Sequence, residues 1–203
     1  KNVPDTTVIG GNVVAQVKGT SEKIIVITGH LDHLGMRNGK IYNGADDDAS
    51  GTAALFAIAG YFKKNKPKHT LVFAAVDAEE TGMLGSDYLV KNFPTDIKNV
   101  VLNINMDMIA HSEKELYASG TYHNPQLKKS LENIVSPIEL LFGHDDPKNK
   151  KLDDWTYSSD HRSFHKAKIP FIYFGVEDHK DYHRDTDTFE SINQNFYINA
   201  VKL

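Results

Sequence analysis

Residues 70–80 read Thr-Leu-Val-Phe-Ala-Ala-Val-Asp-Ala-Glu-Glu, an apolar run followed by three acids. The run is rich in β-branched and aromatic residues and is too short for a helix, so it predicts a buried β-strand. In a doubly wound α/β sheet, the chemistry collects at the carboxyl ends of such strands. There, Glu79 and Glu80 could divide the work, because one carboxylate could bind a metal ion while its neighbour moves a proton on the metal's water. Most Glu-Glu pairs are solvated surface charge, so this interpretation needs support from the rest of the chain.

Three further apolar runs read as strands, and helical patterns separate them. The strand runs cover residues 24–28, 100–104 and 170–174, and the helical patterns cover 53–62, 82–92, 125–136, 160–166 and 188–203. Strands that alternate with helices indicate βαβ units. We therefore predict a single α/β domain over residues 1–203, with a mostly parallel central sheet and helices on both faces.

Two shorter segments complete the predicted organisation. Residues 13–17 are expected to pair with the strand at 24–28 through a turn at Gly19-Thr20. The polar stretch at residues 144–154 is expected to form an exposed loop.

The composition excludes several classes of function. With 203 residues, 40% hydrophobic and 25% charged, the chain has the make-up of an ordinary globular protein. A formal charge of −4 and the lack of a basic tract argue against a nucleic-acid partner. No apolar stretch approaches the length of a membrane span, and we expect no signal peptide. Because the chain has no cysteine but ten histidines, imidazole and carboxylate are the available metal ligands, which suits zinc.

The first predicted strand ends in Gly29-His30-Leu-Asp32-His33. Residues two apart on an extended chain share a face, so Asp32 can accept a hydrogen bond from the ring of His30. Such a bond fixes the orientation of an imidazole that binds a metal. A structural His–Asp pair that caps the strand is the alternative. By the same alternation, His33 is expected to point elsewhere and not to be a ligand.

Acidic residues or a histidine also follow other predicted strands and precede the helix predicted at residues 53–62. Asp46-Asp47-Asp48 lead into the helix predicted at residues 53–62. Capping of the helix would account for one or two of the three carboxylates, so at least one carboxylate is left to bind a cation. Asp107 stands between two methionines at the end of a buried strand, where a lone acid is costly unless it is paired or bound to metal. His183 follows the last strand.

One crevice at the carboxyl edge of the sheet can collect two imidazoles and three carboxylates. The five residues are His30, Asp47, Glu80, Asp107 and His183. This set suits two zinc ions that share one bridging carboxylate. Three anionic ligands against two divalent cations leave one positive charge, which a bound hydroxide would neutralise.

In order and spacing, these motifs resemble those of the co-catalytic double-zinc exopeptidases. That family includes the bacterial leucyl-type aminopeptidases, with glutaminyl cyclases and glutamate carboxypeptidase as relatives. The matching motifs are Gly-His-Leu-Asp-His, Gly-Ala-Asp-Asp-Asp-Ala-Ser-Gly, Ala-Glu-Glu-Thr-Gly, Met-Asp-Met and Tyr-His-Arg-Asp-Thr-Asp-Thr. The resemblance extends over residues 24–189, which is nearly the whole chain.

The resemblance implies a division of the metal ligands between two zinc ions. His30 and Asp107 would bind one ion, and Glu80 and His183 would bind the other. Asp47, the middle acid of its triplet, would bridge the two.

Four further residues receive roles by the same resemblance. Asp32 would orient the ring of His30. Glu79 would be the general base that deprotonates the bridging water and later protonates the leaving amine. Tyr182 would steady the tetrahedral intermediate, although some relatives place that tyrosine elsewhere. Asp160 would contact the substrate's amine or support the site from behind.

We therefore expect a zinc-dependent aminopeptidase that hydrolyses N-terminal residues from peptides with a free N-terminus by attack of a metal-bridging hydroxide. The alternatives are a glutaminyl cyclase with a single zinc ion, a carboxypeptidase or dipeptidase on the same fold, and a non-catalytic binding module. Residues 48–51 resemble the peptidase version rather than the cyclase version, and the filled ligand positions weigh against a binding module. The resemblance also implies a preference for apolar N-terminal side chains and a secreted or periplasmic location.

Overall fold

In the computed structural model, which describes residues 9–203, strands and helices follow one another along the chain. The strands are β1 (Val13–Val17), β2 (Ser21–His30), β3 (Gly35–Arg37), β4 (Lys40–Tyr42), β5 (His69–Val76), β6 (Val100–Met106), β7 (Glu115–Ser119), β8 (Glu139–Leu141) and β9 (Phe171–Gly175). The helices are α1 (Gly51–Lys64), α2 (Leu84–Lys91), α3 (Pro125–Glu132), α4 (His161–Lys166) and α5 (Gln194–Lys202). The first eight residues of the predicted domain lie outside the described residues.

Seven of the strands form one central sheet in the order β1-β5-β2-β6-β9-β7-β8, and β3 and β4 form a separate hairpin. The four central strands, β5, β2, β6 and β9, run parallel to one another. β1 is antiparallel to β5, and β7 is antiparallel to β9 but parallel to β8. The prediction of an α/β fold with a mostly parallel sheet is confirmed.

The predicted partner of β1 is wrong. β1 pairs with β5, with Val13 opposite Ala75 and Val17 opposite Leu71. It does not pair with β2, because β5 and β6 already occupy both edges of that strand. The turn after β1 passes close to the start of β5, and a Cβ atom at Gly19 would collide with the backbone there.

Side chains of β5 alternate between two cores on opposite faces of the sheet. Leu71 and Phe73 point to the core that includes residues of α1 and α5. Val72, Ala74 and Val76 point to the core that includes residues of α2 and α4. Because helices cover both faces, polar groups carried by the central strands meet at the strand ends.

The segment of residues 144–154 contains no helix or strand, as predicted, but it is not exposed throughout. His144 and Asp145 are buried. The ring of His144 stacks on that of Trp155, with centroids 3.4 Å apart. The Asp145 carboxylate accepts hydrogen bonds from two backbone amides in the loop after β7, at 2.8 and 2.7 Å. These contacts tie the start of the segment to the sheet.

The last helix begins later than the predicted residue 188. Asn193 caps it by accepting a hydrogen bond from the backbone amide of Phe196 at 3.1 Å. Among residues 9–203, no helix has the length and apolarity needed to cross a membrane.

Candidate metal centre

The parallel strands β2, β5 and β6 are neighbours, so their carboxyl ends lie side by side. His30 is the last residue of β2, and Asp107 directly follows β6. The Glu79–Glu80 turn follows β5. The fold thus brings residues that are far apart in sequence to one edge of the sheet.

A first group of polar atoms surrounds the ring of His30. Its Nε2 atom lies 3.1 Å from Oδ1 of Asp47 and 3.5 Å from Oδ1 of Asp107. Burial alone would lower the pKa of His30, but Asp107 and the other carboxylates around the ring raise that pKa well above its usual value. An imidazole and two carboxylates therefore converge in a buried position.

A second group forms on the other side of Asp47. Nε2 of His183 lies 3.1 Å from Oδ2 of Asp47 and 3.4 Å from Oε2 of Glu80. Asp47 thus presents one carboxylate oxygen to His30 and the other to His183. This is the arrangement that a bridging carboxylate requires. All five residues named from the sequence as metal ligands meet at this place.

His33 also belongs to the second group, and the expectation that it points elsewhere is wrong. Its Nδ1 atom lies 2.7 Å from Oε1 of Glu80 and 3.8 Å from Oδ2 of Asp47. Strand alternation fails here because β2 ends at His30 and the chain turns afterwards. Gly44, with φ of +63°, makes room for the ring, since a Cβ atom there would lie 2.6 Å from Cγ of His33.

Several atoms of the two groups are buried and make no hydrogen bond within the described part of the chain. They are Nε2 of His30, both ring nitrogens of His33 and Oε1 of Glu80. Nε2 of His30, Nδ1 of His33 and Oε1 of Glu80 approach oxygen or nitrogen neighbours closely, but without the alignment of a hydrogen bond. Lone pairs that converge in this way are satisfied by a cation, and imidazole with carboxylate is a donor set that zinc accepts. The residues therefore fit a metal centre.

The third acid of the triplet, Asp48, has a structural role. Its carboxylate accepts hydrogen bonds from the amides of His30 at 2.9 Å, Gly51 at 2.9 Å and Met108 at 3.3 Å. It therefore joins the end of β2, the start of α1 and the loop after β6. The bond to Gly51 is the helix-capping role that the sequence predicts for part of the triplet.

Asp46 and Asp187 hold the turn in which Asp47 lies. The Asp46 carboxylate receives the amide of Ala110 at 2.6 Å and lies 3.1 Å from Nε2 of His179. The Asp187 carboxylate accepts the amides of Asp46 at 2.9 Å and Asp47 at 3.1 Å. The sequence interpretation missed Asp187, although it stands in the Tyr-His-Arg-Asp-Thr-Asp-Thr motif.

Asp32 contacts His30 chiefly through its backbone. Nδ1 of His30 lies 3.0 Å from the carbonyl oxygen of Asp32 and 3.7 Å from its carboxylate. The carboxylate instead accepts the amides of Glu79 at 3.0 Å and Glu80 at 3.2 Å. Burial would raise the pKa of Asp32, but the His30 ring and these amides keep it below its usual value. Asp32 thus connects the ring of His30 to the turn that carries both glutamates.

Glu79 belongs to neither group of converging ligands. Burial, with a further contribution from the charge of Asp107, raises the pKa of Glu79 to about 9. A cation bound beside it would oppose this rise, because a nearby positive charge favours the carboxylate form. Glu79 is therefore a carboxyl group that lines the cavity beside the candidate metal centre without belonging to either ligand group.

Tyr182 and Asp160 occupy different positions relative to the site. The Tyr182 ring stacks on His183, with centroids 3.9 Å apart, and burial raises its pKa well above the usual value. Asp160 is fully buried, and neither of its carboxylate oxygens has a hydrogen-bond partner among the described residues. Burial raises the pKa of Asp160 to about 7. Because Asp160 does not line the cavity, a supporting role agrees better with its position than contact with the substrate.

A cavity of about 450 Å³ opens over these groups. Its walls combine acids, apolar side chains and aromatic rings. The lining residues are Asp47, Glu79, Glu80, Gly82, Met83, Asp107, Met108, Asp153, Asp154, Trp155, Ser158, Tyr173, Val176, Asp178, Tyr182 and His183.

Residues 12–203 match the family model described as Peptidase family M28. The chain belongs to peptidase family M28. Among curated relatives of this M28 chain, a probable zinc metalloprotease of Pyricularia oryzae is 36% identical over 180 residues, covering 80% of this chain and 34% of the relative. The alkaline phosphatase isozyme conversion protein of Escherichia coli is 31% identical over 149 residues, covering 67% of this chain and 42% of the relative. The M28 chain thus spans less than half the length of these relatives.

Solved structures share the fold of this M28 chain. The zinc aminopeptidase BSAP from Bacillus subtilis matches with a TM-score of 0.71 at 24% identity, covering 95% of this chain and 47% of that one. A glutaminyl cyclase from Bacteroides thetaiotaomicron matches with a TM-score of 0.71 at 20% identity, covering 94% and 73%. At this level of identity, the likeness concerns the fold alone.

Proposed function

We propose that this chain acts as a zinc-dependent aminopeptidase that hydrolyses the N-terminal residue from peptides with a free N-terminus. The observation that carries the proposal is the pair of ligand groups that share Asp47, with the carboxyl group of Glu79 beside them. Membership of a peptidase family supports the reaction class, and the curated relatives named as zinc metalloproteases support the choice of metal.

In this proposal, His30 and Asp107 would hold one zinc ion, Glu80 and His183 would hold a second, and Asp47, which faces both groups, would be shared between them. The position of His33 makes it a further candidate ligand for the second ion. Zinc bound here would polarise the scissile carbonyl group and make a water molecule acidic enough to lose its proton near neutral pH.

The chain's own residues then move the protons. Glu79 takes a proton from the attacking water and delivers it to the nitrogen of the leaving amine, so that water and the peptide bond become a carboxylic acid and an amine. The carboxylate of Asp32 accepts a hydrogen bond from the backbone amide of Glu79 and so fixes the backbone of that glutamate. Tyr182, on the cavity wall, donates a hydrogen bond from its hydroxyl group to the negative charge that develops on the carbonyl oxygen.

The charge of the cavity supports an aminopeptidase over a carboxypeptidase. Seven of the lining residues are acidic, and no lysine or arginine stands among the described residues that form the wall. With zinc bound, Asp47, Glu80 and Asp107 would be offset by the ions, and the exposed carboxylates of Asp153, Asp154 and Asp178 would still attract a peptide's N-terminal ammonium group and repel a C-terminal carboxylate. The zinc ligands alone would not distinguish the two ends of a peptide.

The test is hydrolysis of leucine p-nitroanilide by the purified protein, with the N-acetylated compound as matched control. We expect hydrolysis of the free compound alone, loss of activity after treatment with a chelator, and recovery on addition of zinc. Activity that persists after complete removal of zinc would contradict the mechanism, and equal hydrolysis of the blocked compound would contradict the aminopeptidase assignment. Formation of pyroglutamate from a glutaminyl peptide without p-nitroanilide hydrolysis would favour a cyclase.

A further inference from the structure

We propose that the ring of His144 and the carboxylate of Glu177, together called the latch, hold the indole of Trp155 in the cavity wall, where it supports the binding of substrate. The substrate meant is that of the proposed aminopeptidase function, on which this inference rests. Trp155 lines the cavity, whereas His144 does not. His144 is only 1% exposed and stacks on the indole, so it lies behind the wall that Trp155 forms.

His144 and Trp155 close the neck of the loop that runs between them. The backbone amide of Trp155 donates a hydrogen bond to the carbonyl oxygen of His144 at 2.6 Å. Their rings stack with centroids 3.4 Å apart and planes 9° from parallel. Tyr117 and Tyr173 stand steeply to the indole, with centroids 5.6 and 5.7 Å from it. The orientation of the indole therefore depends on the position of the His144 ring.

Both ring nitrogens of His144 face hydrogen-bond acceptors. Nδ1 lies 2.8 Å from the carbonyl oxygen of Asp153, and Nε2 lies 2.9 Å from Oε1 of Glu177. A neutral imidazole has a single N–H group, so both bonds form together only when the ring carries two protons. The charged ring then forms an ion pair with Glu177 and presents a cation to the face of the indole, which is a favourable arrangement.

The bond between His144 and Glu177 joins two stretches of the cavity wall. One stretch includes Trp155, at the end of the loop that His144 begins. The other includes Val176 and Asp178, the chain neighbours of Glu177 in the segment after β9. If the bond is lost, the two stretches are free to shift relative to each other, and the indole loses its fixed place beside the substrate. The latch thus acts on the substrate through Trp155.

Glu177 is the part of the latch that can be changed without disturbing the core. Its side chain is 50% exposed, and His144 is the one partner of its carboxylate within residues 9–203. Glu177→Gln keeps the size of the side chain and an oxygen that accepts a hydrogen bond, but it removes the charge. The matched control is Glu115→Gln. Glu115 is exposed and lines the same smaller cavity of about 210 Å³ as Glu177, but it forms no ion pair with His144 in the described part of the chain.

The first experiment follows the fluorescence of Trp155, the only tryptophan in the chain, while acrylamide is added to the zinc-loaded protein. Acrylamide quenches only an indole that it can reach, so the quenching constant follows the fraction of released indole. Loss of an exposed ion pair shifts such an equilibrium by about 2- to 5-fold, and we expect the constant of Glu177→Gln to rise by about that factor. His144→Ala should raise it further, and Glu115→Gln should leave it unchanged. An unchanged constant in Glu177→Gln would overturn the proposal.

The second experiment measures hydrolysis of leucine p-nitroanilide. We expect Glu177→Gln to raise KM by about 2- to 5-fold and to leave kcat unchanged, because the wall contacts the substrate before and during the reaction alike. In a Trp155→Ala background, Glu177→Gln should raise KM no further, since both changes act through the same ring. An unchanged KM, or an equal rise of KM in the Trp155→Ala background, would overturn the role of the latch in substrate binding.

A binding measurement separates this inference from the proposed reaction. If no hydrolysis is found, the proposed function fails, but acrylamide quenching still decides whether the latch holds Trp155. The zinc-loaded proteins are then titrated with leucine amide, and Trp155 fluorescence reports on binding. Affinity about 2- to 5-fold weaker in Glu177→Gln than in the wild type and Glu115→Gln would support the inference. Equal affinity in all three proteins would overturn it.

Discussion

Asp187 has a specific structural task, and replacing it by alanine should destabilise the protein measurably. Its fully buried carboxylate accepts the amides of Asp46 and Asp47. The Asp187→Ala variant would leave two buried amides without an acceptor, at a cost of about 1–3 kcal/mol each. The expected loss is therefore about 2–6 kcal/mol of unfolding free energy, from a total of roughly 5–15 kcal/mol for a typical domain.

The same change should weaken metal binding, because the Asp47 backbone is anchored by Asp187. The assay is urea unfolding with and without zinc, combined with the zinc content of the dialysed protein. Asp187→Asn retains one side-chain oxygen and should lose about half as much stability as Asp187→Ala.

The control for this prediction is Asp185→Ala in the same loop. Asp185 makes a surface ion pair with Lys40 at 2.7 Å, and such pairs contribute about 0–1 kcal/mol. If the unfolding free energy of metal-free Asp187→Ala lies within about 0.5 kcal/mol of the wild type, the amides do not depend on this carboxylate and the reasoning is refuted.

Three further predictions concern other residues. Asp32→Ala should lower kcat roughly 10-fold or more when measured at saturating zinc, since the amide of Glu79 loses its acceptor; an unchanged kcat would contradict this role. Tyr182→Phe should lower kcat by about 10²-fold with little change in KM, as loss of an oxyanion donor does, and an equal rise in KM would point to simple binding instead. Burial lowers the pKa of His161 to about 3, so the wild type should lose up to about 1.4 kcal/mol of stability per pH unit as the pH falls from 6.5 towards 3. Urea unfolding of His161→Phe should show a shallower slope over that range, and an identical slope would rule out His161 as the source.

Much of the fold follows from apolar runs and their spacing. The four runs read as strands are the four parallel strands at the centre of the sheet, because strands buried on both faces need continuous apolar sequence. The pairing partner of β1 was predicted wrongly, because most of its residues are exposed and do not indicate which strand of the sheet has a free edge. The hairpin of β3 and β4 was not predicted, since each strand has only three residues.

The candidate site was predictable wherever a residue sits on or directly after a strand. His30 and Asp107 are examples, because the ends of neighbouring parallel strands must meet. His33 lies three residues beyond its strand, and its direction depends on a turn that local alternation does not describe. Asp187 lies far along the chain from the turn that it holds, so only the three-dimensional structure shows that they touch.

The most direct test of the account is the zinc content per chain, measured together with turnover, for the wild type, Glu79→Gln and Glu80→Ala. The account predicts two zinc ions in the wild type and in Glu79→Gln, with turnover of the latter reduced by about 10²- to 10⁴-fold. Glu80→Ala should lose zinc, because its carboxylate belongs to the second ligand group. Equal zinc contents in the two variants, whether both retained or both lost, would contradict the assignment of Glu79 to proton transfer and Glu80 to metal binding.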